Sequence, residues 1–112
     1  MGEDIACRYL EENGYTVMAR NYTVRGGETD IVAYDDSHIV FAEVKCRKND
    51  TFSRAAEAVD AKKISRLVAC AERFLFEKAN EPCLSGKQPR FDVIEVYTQS
   101  GRINHIKAID IN

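Results

Sequence analysis

The segment GGETDIVAYDDSHIVFAEVK, residues 26–45, decides how the rest of this sequence is interpreted. Strand-forming residues fill 29–34 and 38–45, and the polar Asp35-Asp36-Ser37 between them is typical of a tight turn. A connection this short joins antiparallel neighbours, so the segment predicts a β-hairpin. Its second strand is apolar on both faces from Ile39 to Ala42, which indicates a central strand covered on each side.

The sequence on either side of this hairpin supplies two helices and three further strands. Helices are predicted where apolar residues recur every three or four positions, and strands where β-branched and aromatic residues alternate with polar ones. The predicted segments are helices over 2–13 and from an N-cap at Asp60 to Leu75, strands over 15–20, 29–34, 38–45, 91–97 and 103–109, and a loop over 81–90. The order α-β-β-β-α-β-β predicts an α/β fold, a mixed β-sheet flanked by two helices, in one domain spanning residues 1–112.

The composition of the chain is that of a soluble globular domain, with 112 residues of which 45% are apolar and 30% charged. It contains no apolar run of the roughly 20 residues that cross a bilayer, and its first residues lack the features of a signal peptide. We therefore expect a cytoplasmic protein without membrane contact. The four cysteines are widely spaced, which favours free thiols over a zinc site.

Three charged residues at one end of the hairpin form a candidate site. Glu43 and Lys45 are two apart on a strand, so both side chains leave the same face. Asp30 opens the preceding strand, and antiparallel pairing would bring it beside the end of the other. Two carboxylates without a nearby histidine or thiolate suit Mg²⁺ or Mn²⁺ rather than zinc. A lysine beside them could position an attacking water and offset charge in phosphodiester hydrolysis.

The same residues have a simpler interpretation, because Glu and Lys alternating at a sheet edge often form a solvated ion pair worth under ~1 kcal/mol. The acidic residue on the neighbouring strand, the preceding glycine pair and an adjacent basic stretch favour the metal site over the ion pair. That basic stretch offers candidate contacts to nucleic-acid phosphates, although a solvated helix face explains its last three residues equally well. The candidates are Arg47, Lys48, Lys62, Lys63 and Arg66.

Other polar residues carry weaker signals. His38 and His105 are isolated in the sequence and far from the candidate site, so each is interpreted as a structural or exposed histidine. Asp92 lies near the start of a strand beside Arg90, and we interpret it as structural as well. The net charge of −2 argues against a protein that coats nucleic acid indiscriminately.

Several motifs together resemble those of one bacterial family. They are Gly27-Glu28-Thr29-Asp30-Ile31-Val32-Ala33, Val40-Phe41-Ala42-Glu43-Val44-Lys45-Cys46-Arg47, Ala56-Glu57-Ala58-Val59-Asp60, Arg90-Phe91-Asp92-Val93 and Gly2-Glu3-Asp4-Ile5-Ala6 of the first helix. On these residues the chain resembles the YraN family, also called UPF0102, over essentially its whole length. That family is similar to archaeal Holliday-junction resolvases and has the restriction-endonuclease-like fold of the PD-(D/E)XK superfamily.

The resemblance implies a role for each matching residue. Asp30 and Glu43 would be the metal-binding carboxylates, and Lys45 would be the lysine of the superfamily motif. Glu3 would match an acidic residue that the resolvases contribute from their first helix, and Glu28 belongs to the G-E-x-D motif of the family. The sequence departs from the family pattern at Thr29, where an aliphatic residue is usual. The resemblance also implies an activity on structured or branched DNA in repair or recombination.

Three functions remain open from the sequence. The first is a Mg²⁺-dependent endonuclease acting on DNA. The second is a binding module on a nuclease fold, which grips nucleic acid or a protein without cutting. The acidic net charge and small size suit this module, because they leave little surface for a duplex unless the chain forms a homodimer. The third is a structural domain in which Glu43 and Lys45 form only an ion pair.

Overall fold

The computed structural model describes residues 2–48 and 61–109, which form two helices and a five-stranded sheet. The elements follow the predicted order α-β-β-β-α-β-β, with a short 3₁₀ turn at Pro82–Leu84 before the fourth strand. The predicted fold class, an α/β mixed sheet flanked by two helices, is confirmed. The bounds are α1 Gly2–Glu12, β1 Thr16–Val24, β2 Gly27–Tyr34, β3 His38–Arg47, α2 Ala61–Glu77, β4 Gln88–Tyr97 and β5 Arg102–Ile106. The predicted N-cap Asp60 and the motif 56–60 lie outside the described residues.

The first three strands form the antiparallel meander that the short connections predict. The sheet order is β1-β2-β3-β4-β5, so β3 is the central strand, as its apolar run from Ile39 to Ala42 indicates. The Asp35 carboxylate accepts hydrogen bonds from the backbone N–H groups of Ser37 and His38, which closes the turn between β2 and β3. This turn fixes the register of the hairpin that carries the candidate site.

The fourth strand runs parallel to β3, and α2 lies on the connection between the two. The predicted loop over 81–90 is wrong at its end, because β4 already begins at Gln88, whose N–H donates to the Ser37 carbonyl at 2.9 Å. The predicted final strand over 103–109 is also too long. It ends at Ile106, since the chain turns there and the Ala108 N–H donates to the Asp92 carboxylate.

Each face of the sheet packs against one helix. Alternating residues of β3 divide between the faces, with Val40 and Ala42 toward α1 and Ile39 and Phe41 toward α2. The α2 stripe buries Leu67, Cys70, Ala71 and Phe74 against the second face. The apolar periodicity within 61–77 therefore predicted which side of this helix meets the sheet.

A glycine permits close contact between β2 and α2. A Cβ atom on Gly27 would collide with the Arg66 carbonyl oxygen and would lie 2.9 Å from the Cys70 nitrogen, and both atoms belong to the helix backbone. Only a residue without a side chain fits at this point. Gly27 thus sets the distance between the start of β2, which carries Glu28 and Asp30, and the helix above it.

All four cysteines are free thiols, as the spacing predicted, with Cys7 and Cys70 buried and Cys46 and Cys83 exposed. Neither helix in the described part of the chain combines the length and apolar character needed to cross a membrane.

Candidate functional site

The pairing of β2 with β3 places Asp30 beside Glu43. Ile31 lies opposite Ala42 in the antiparallel register, and Asp30 and Glu43 are the residues next to that pair. The Asp30 Oδ2 atom accepts a hydrogen bond from the Val44 N–H at 2.8 Å, which ties the acidic side chain to the end of β3. Because strand residues alternate, Asp30, Glu43 and Lys45 all belong to the sheet face that α2 covers.

Two lysines contact the carboxylate of Glu43. Lys45 Nζ lies 3.5 Å from Oε1 of Glu43, and Lys63 Nζ, from the first turn of α2, lies 2.7 Å from the same oxygen. The Glu43 side chain is only 13% exposed, so these charges meet in a partly desolvated place where ionic interactions are stronger than at an open surface. The structure therefore brings Lys45, a predicted catalytic residue, and Lys63, a predicted nucleic-acid contact, to the same oxygen of Glu43.

The local charges shift the pKa values of the site in opposite directions. Burial raises the pKa of Asp30 most, and the nearby carboxylates of Glu43, Glu3 and Glu28 raise it further, against the hydrogen bond from the Val44 N–H. The pKa of Lys45 is lowered by its hydrogen bond with Lys63 and by burial, although the charge of Glu43 acts in the other direction. Several carboxylates and two lysine amines therefore lie close together at this site, and they shift the pKa values of Asp30 and Lys45.

Glu28 lies on the same face of β2, two residues before Asp30, and is bound from above by α2. Its Oε1 atom is 3.3 Å from Arg66 Nη2. Glu28, Glu43, Lys63 and Arg66 line a cavity of about 20 Å³ together with Leu67. A volume of that size holds about one water molecule or one small ion.

Glu3 adds negative charge near the candidate site, where it raises the pKa of Asp30. It lies in the first turn of α1, and its closest ion-pair partner is Arg20 on β1, at 3.7 Å. The start of α1 packs tightly against the end of β3, since a Cβ atom on Gly2 would collide with Cys46 Sγ. Glu3 is thus held near Asp30 by α1, whereas the contact with Glu28 comes from α2.

Three of the five predicted nucleic-acid contacts are engaged within the chain. Lys63 binds Glu43, Arg66 binds Glu28, and Arg47 Nε lies 3.4 Å from Oε2 of Glu95. The other two, Lys48 directly after β3 and Lys62 at the start of α2, are exposed. The predicted basic surface is therefore partly neutralised by carboxylates from the sheet.

Glu95 is a site residue that the sequence interpretation missed. It is 0% exposed and its Cα lies opposite that of Lys45 in the parallel pairing of β3 with β4. Besides Arg47, it accepts hydrogen bonds from the Tyr97 hydroxyl at 3.2 Å and from Asn104 Nδ2 at 2.9 Å. The available signal was an acidic residue inside an apolar strand, which requires partners because a buried charge is costly alone.

A second buried polar cluster lies on the sheet around Asp92, which is 0% exposed. Its carboxylate accepts hydrogen bonds from Arg90 at 2.9 and 3.0 Å, and it contacts His105 Nε2 at 2.7 Å. His105 Nδ1 contacts the Tyr9 hydroxyl on α1, and Arg90 donates to the Tyr15 hydroxyl. Every buried side-chain nitrogen and oxygen atom of this cluster has a hydrogen-bond partner, so the cluster joins β4, β5 and α1 as a structural network.

The donor set around Asp30 and Glu43 fits a small hard cation. Both side chains offer carboxylate oxygens, the ligands that hard cations prefer. One positive group, the ammonium of Lys63, already contacts Glu43. Within residues 2–48 and 61–109, however, no three His, Cys, Asp or Glu side chains are grouped closely enough to hold a metal by themselves. Asp30 and Glu43 would therefore hold Mg²⁺ as a pair, with further ligands from outside this set.

Comparison with known proteins identifies the family. The model of the family described as "Uncharacterised protein family UPF0102" matches residues 2–96. A UPF0102 protein of Pelotomaculum thermopropionicum is 38% identical over 98% of this chain and 89% of its own length. A second, from Clostridioides difficile, is 38% identical over 94% of this chain and 89% of its own length, and one from Sulfurihydrogenibium is 41% identical over 94% and 86%. This chain belongs to the UPF0102 family.

Proposed function

We propose that this protein is a Mg²⁺-dependent endonuclease that hydrolyses phosphodiester bonds of DNA. One observation carries the proposal: Asp30 and Glu43 come from adjoining strands, and Lys45 lies 3.5 Å from Glu43 on the same face. Two oxygen donors beside a lysine are the components that metal-assisted phosphodiester hydrolysis requires. The resemblance of the motifs to those of the resolvases adds structured or branched DNA as the substrate class, in repair or recombination.

The roles of the residues follow from their positions. Asp30 and Glu43 would hold the cation, and the Val44 N–H keeps Asp30 directed toward the end of β3. Mg²⁺ or Mn²⁺, when bound, supplies positive charge against phosphate oxygens whose negative charge rises during the reaction. Lys45 would position the attacking water and offset part of the same charge. Glu28 and Glu3 add negative potential around Asp30, and this potential favours the binding of a divalent cation.

The contact with DNA would come from the basic residues around the site. Lys48 and Lys62 are exposed and are the first candidates for phosphate contacts. Arg47 contacts the buried Glu95, whereas the pair of Arg66 with Glu28 is exposed on both sides, so Arg66 can exchange this partner for a phosphate. A domain this small offers limited surface to a duplex, and we expect a homodimer on branched DNA, which light scattering of the protein with and without DNA would measure.

A second function, a binding module that does not cut, has one observation in its favour. Lys63, Arg66 and Arg47 each contact a carboxylate of the same chain, which lowers the positive charge available to a phosphate backbone. Fluorescence anisotropy with labelled DNA separates the two functions, because a module would bind without cleaving under either metal.

The proposal is tested by incubating the purified protein with branched, single-stranded and duplex DNA in Mg²⁺ or Mn²⁺. Asp30→Ala and Lys45→Ala should reduce cleavage to background, since each removes a component that the others do not replace. Asp36→Ala is the matched control, because Asp36 is an exposed acid in the turn at the opposite end of β2. Cleavage that persists in Asp30→Ala would refute this site.

A further inference from the structure

One oxygen atom of Glu43 is contacted by two ammonium groups, from Lys45 at 3.5 Å and from Lys63 at 2.7 Å. Lys45 belongs to the same strand as Glu43, whereas Lys63 reaches down from the first turn of α2. Like charges this close repel each other, and the Glu43 carboxylate that both lysines contact offsets this repulsion. Asp30, on the neighbouring strand beside Glu43, adds negative charge to the same face of the sheet.

The Lys63 ammonium lies 2.7 Å from a Glu43 oxygen that would hold the cation in the proposed metal site. Lys63 lines the small cavity between β2, β3 and α2 together with Glu28 and Glu43. Its Nζ atom is the closer of the two cations on Glu43 Oε1. A divalent cation on the same oxygen would be the third positive group at short range, after Lys45 and Lys63, and Coulomb repulsion makes that arrangement unfavourable.

We propose that Lys63 is a built-in counter-cation of the metal-free protein, which holds Glu43 and is displaced from it when a divalent cation binds. The inference rests on the proposed metal site at Asp30 and Glu43. Lys63 is suited to leave, because its side chain is 42% exposed and a lysine stem is flexible. Lys45, 22% exposed and anchored on the central strand, stays beside Glu43.

The displacement of Lys63 links metal binding to DNA binding, with the metal binding first. Once Lys63 leaves Glu43, its charge moves to the surface of α2 beside Lys62, where it can contact a phosphate group. Metal binding therefore prepares the helix to hold DNA. The cost is a weaker metal affinity, because the cation must compete with Lys63 for the same oxygen.

The test is a titration of the metal-free protein with Mn²⁺, followed by electron paramagnetic resonance of the free ion. Lys63→Met should bind Mn²⁺ at least about fivefold more tightly than the wild type, because the competitor is gone. Lys62→Met is the matched control. It removes the same charge from the neighbouring exposed position and should change the affinity less than about twofold. Lys63→Met binding no more tightly than Lys62→Met would overturn the displacement.

Asp30→Asn, in the wild type and in Lys63→Met, separates this inference from the proposed function. Binding that is lost in both backgrounds supports the metal site, and the comparison of the lysine variants then decides the role of Lys63. Binding that Asp30→Asn leaves unchanged in both would refute the metal site itself, and the displacement with it.

A second measurement follows Lys63 directly. The rate at which an amine-specific reagent acetylates Lys63, read by mass spectrometry, should rise severalfold on addition of Mn²⁺. The rate at Lys62 should stay constant. An unchanged Lys63 rate at saturating Mn²⁺ would contradict the displacement.

Discussion

The Asp30 carboxylate accepts a hydrogen bond from the Val44 N–H at 2.8 Å, across the hairpin that carries the candidate site. Asn can keep this bond through its amide oxygen but cannot carry the charge. Burial and neighbouring carboxylates raise the pKa of Asp30 in the folded protein, so the ionised group favours unfolding at neutral pH. The ionised Asp30 side chain therefore destabilises the folded protein at neutral pH.

We expect Asp30→Asn to stabilise the metal-free protein at pH 7 by about 0.5–2 kcal/mol, the range common for single stabilising substitutions. Urea denaturation of both proteins in a chelator measures the difference. The same substitution should abolish cleavage. A loss of stability would show instead that Asp30 serves the fold.

Asp92→Asn should have the opposite effect on stability. Arg90 and His105 contact the buried Asp92 carboxylate, and removing one partner of a buried ion pair costs about 3–5 kcal/mol. Urea denaturation at pH 7 tests this, with Asp4→Asn as the control. Asp4 also pairs with an arginine, but at an exposed position, and its loss should matter far less. Equal effects of the two substitutions would contradict the structural role of the Asp92 network.

The Asp92 network also fixes the sign of a pH dependence. Burial alone would raise the pKa of Asp92, but the hydrogen bonds from His105 and Arg90 outweigh it and lower the pKa below the usual 3.8. The stability that Asp92 contributes is therefore complete above pH 3.8 and is lost as the pH falls through the lower folded value. We expect the difference in unfolding free energy between the wild type and Asp92→Asn to shrink below that pH.

Two glycines that contact neighbouring elements should respond differently to alanine. At Gly27 the added methyl group meets backbone atoms of α2, so strand and helix must separate, at a cost of about 1–3 kcal/mol. At Gly2 it meets the Sγ atom of Cys46, and this exposed side chain can rotate away. Thermal unfolding of Gly27→Ala and Gly2→Ala measures the contrast. A larger loss in Gly2→Ala would show that the start of α1 is the tighter contact.

The thiols should divide into two classes under native conditions. Burial raises the pKa of Cys70 to about 11 and also raises the pKa of Cys7, which leaves little reactive thiolate at pH 8. Cys46 and Cys83 are exposed. We expect a thiol reagent to modify these two quickly and the buried pair only after unfolding in urea. Fast modification of Cys70 in the native protein would indicate that α2 opens readily.

The hairpin and its site pattern could be predicted from sequence because the determining interactions are local. The turn at Asp35 closes within three residues, and the alternation along β3 assigns Glu43 and Lys45 to one face. Helical periodicity likewise predicted the buried stripe of α2. These features depend on neighbours in sequence, which a pattern records.

The remaining features depend on pairs that are distant in sequence. Glu95 lies opposite Lys45 because β4 pairs parallel to β3. No local sequence pattern predicts the register of that pairing. His105 appears isolated along the chain but contacts Tyr9, 96 residues away. The pairing of Lys63 with Glu43 could not be predicted either, because it requires the packing of α2 on the sheet. Long-range pairing, rather than local preference, accounts for what the sequence interpretation missed.

The parallel pairing of β3 with β4 also implies an order of folding. The Asp30 contact with Val44 spans 14 residues, whereas the contact of Arg47 with Glu95 spans 48. Closing a longer loop loses more chain entropy and slows the step that requires it. We expect the hairpin to form first and the docking of β4 to limit the folding rate, so that Val93→Ala slows folding in stopped-flow measurements more than Ile31→Ala at equal loss of stability. The two acids would then meet in the nascent chain before α2 covers them.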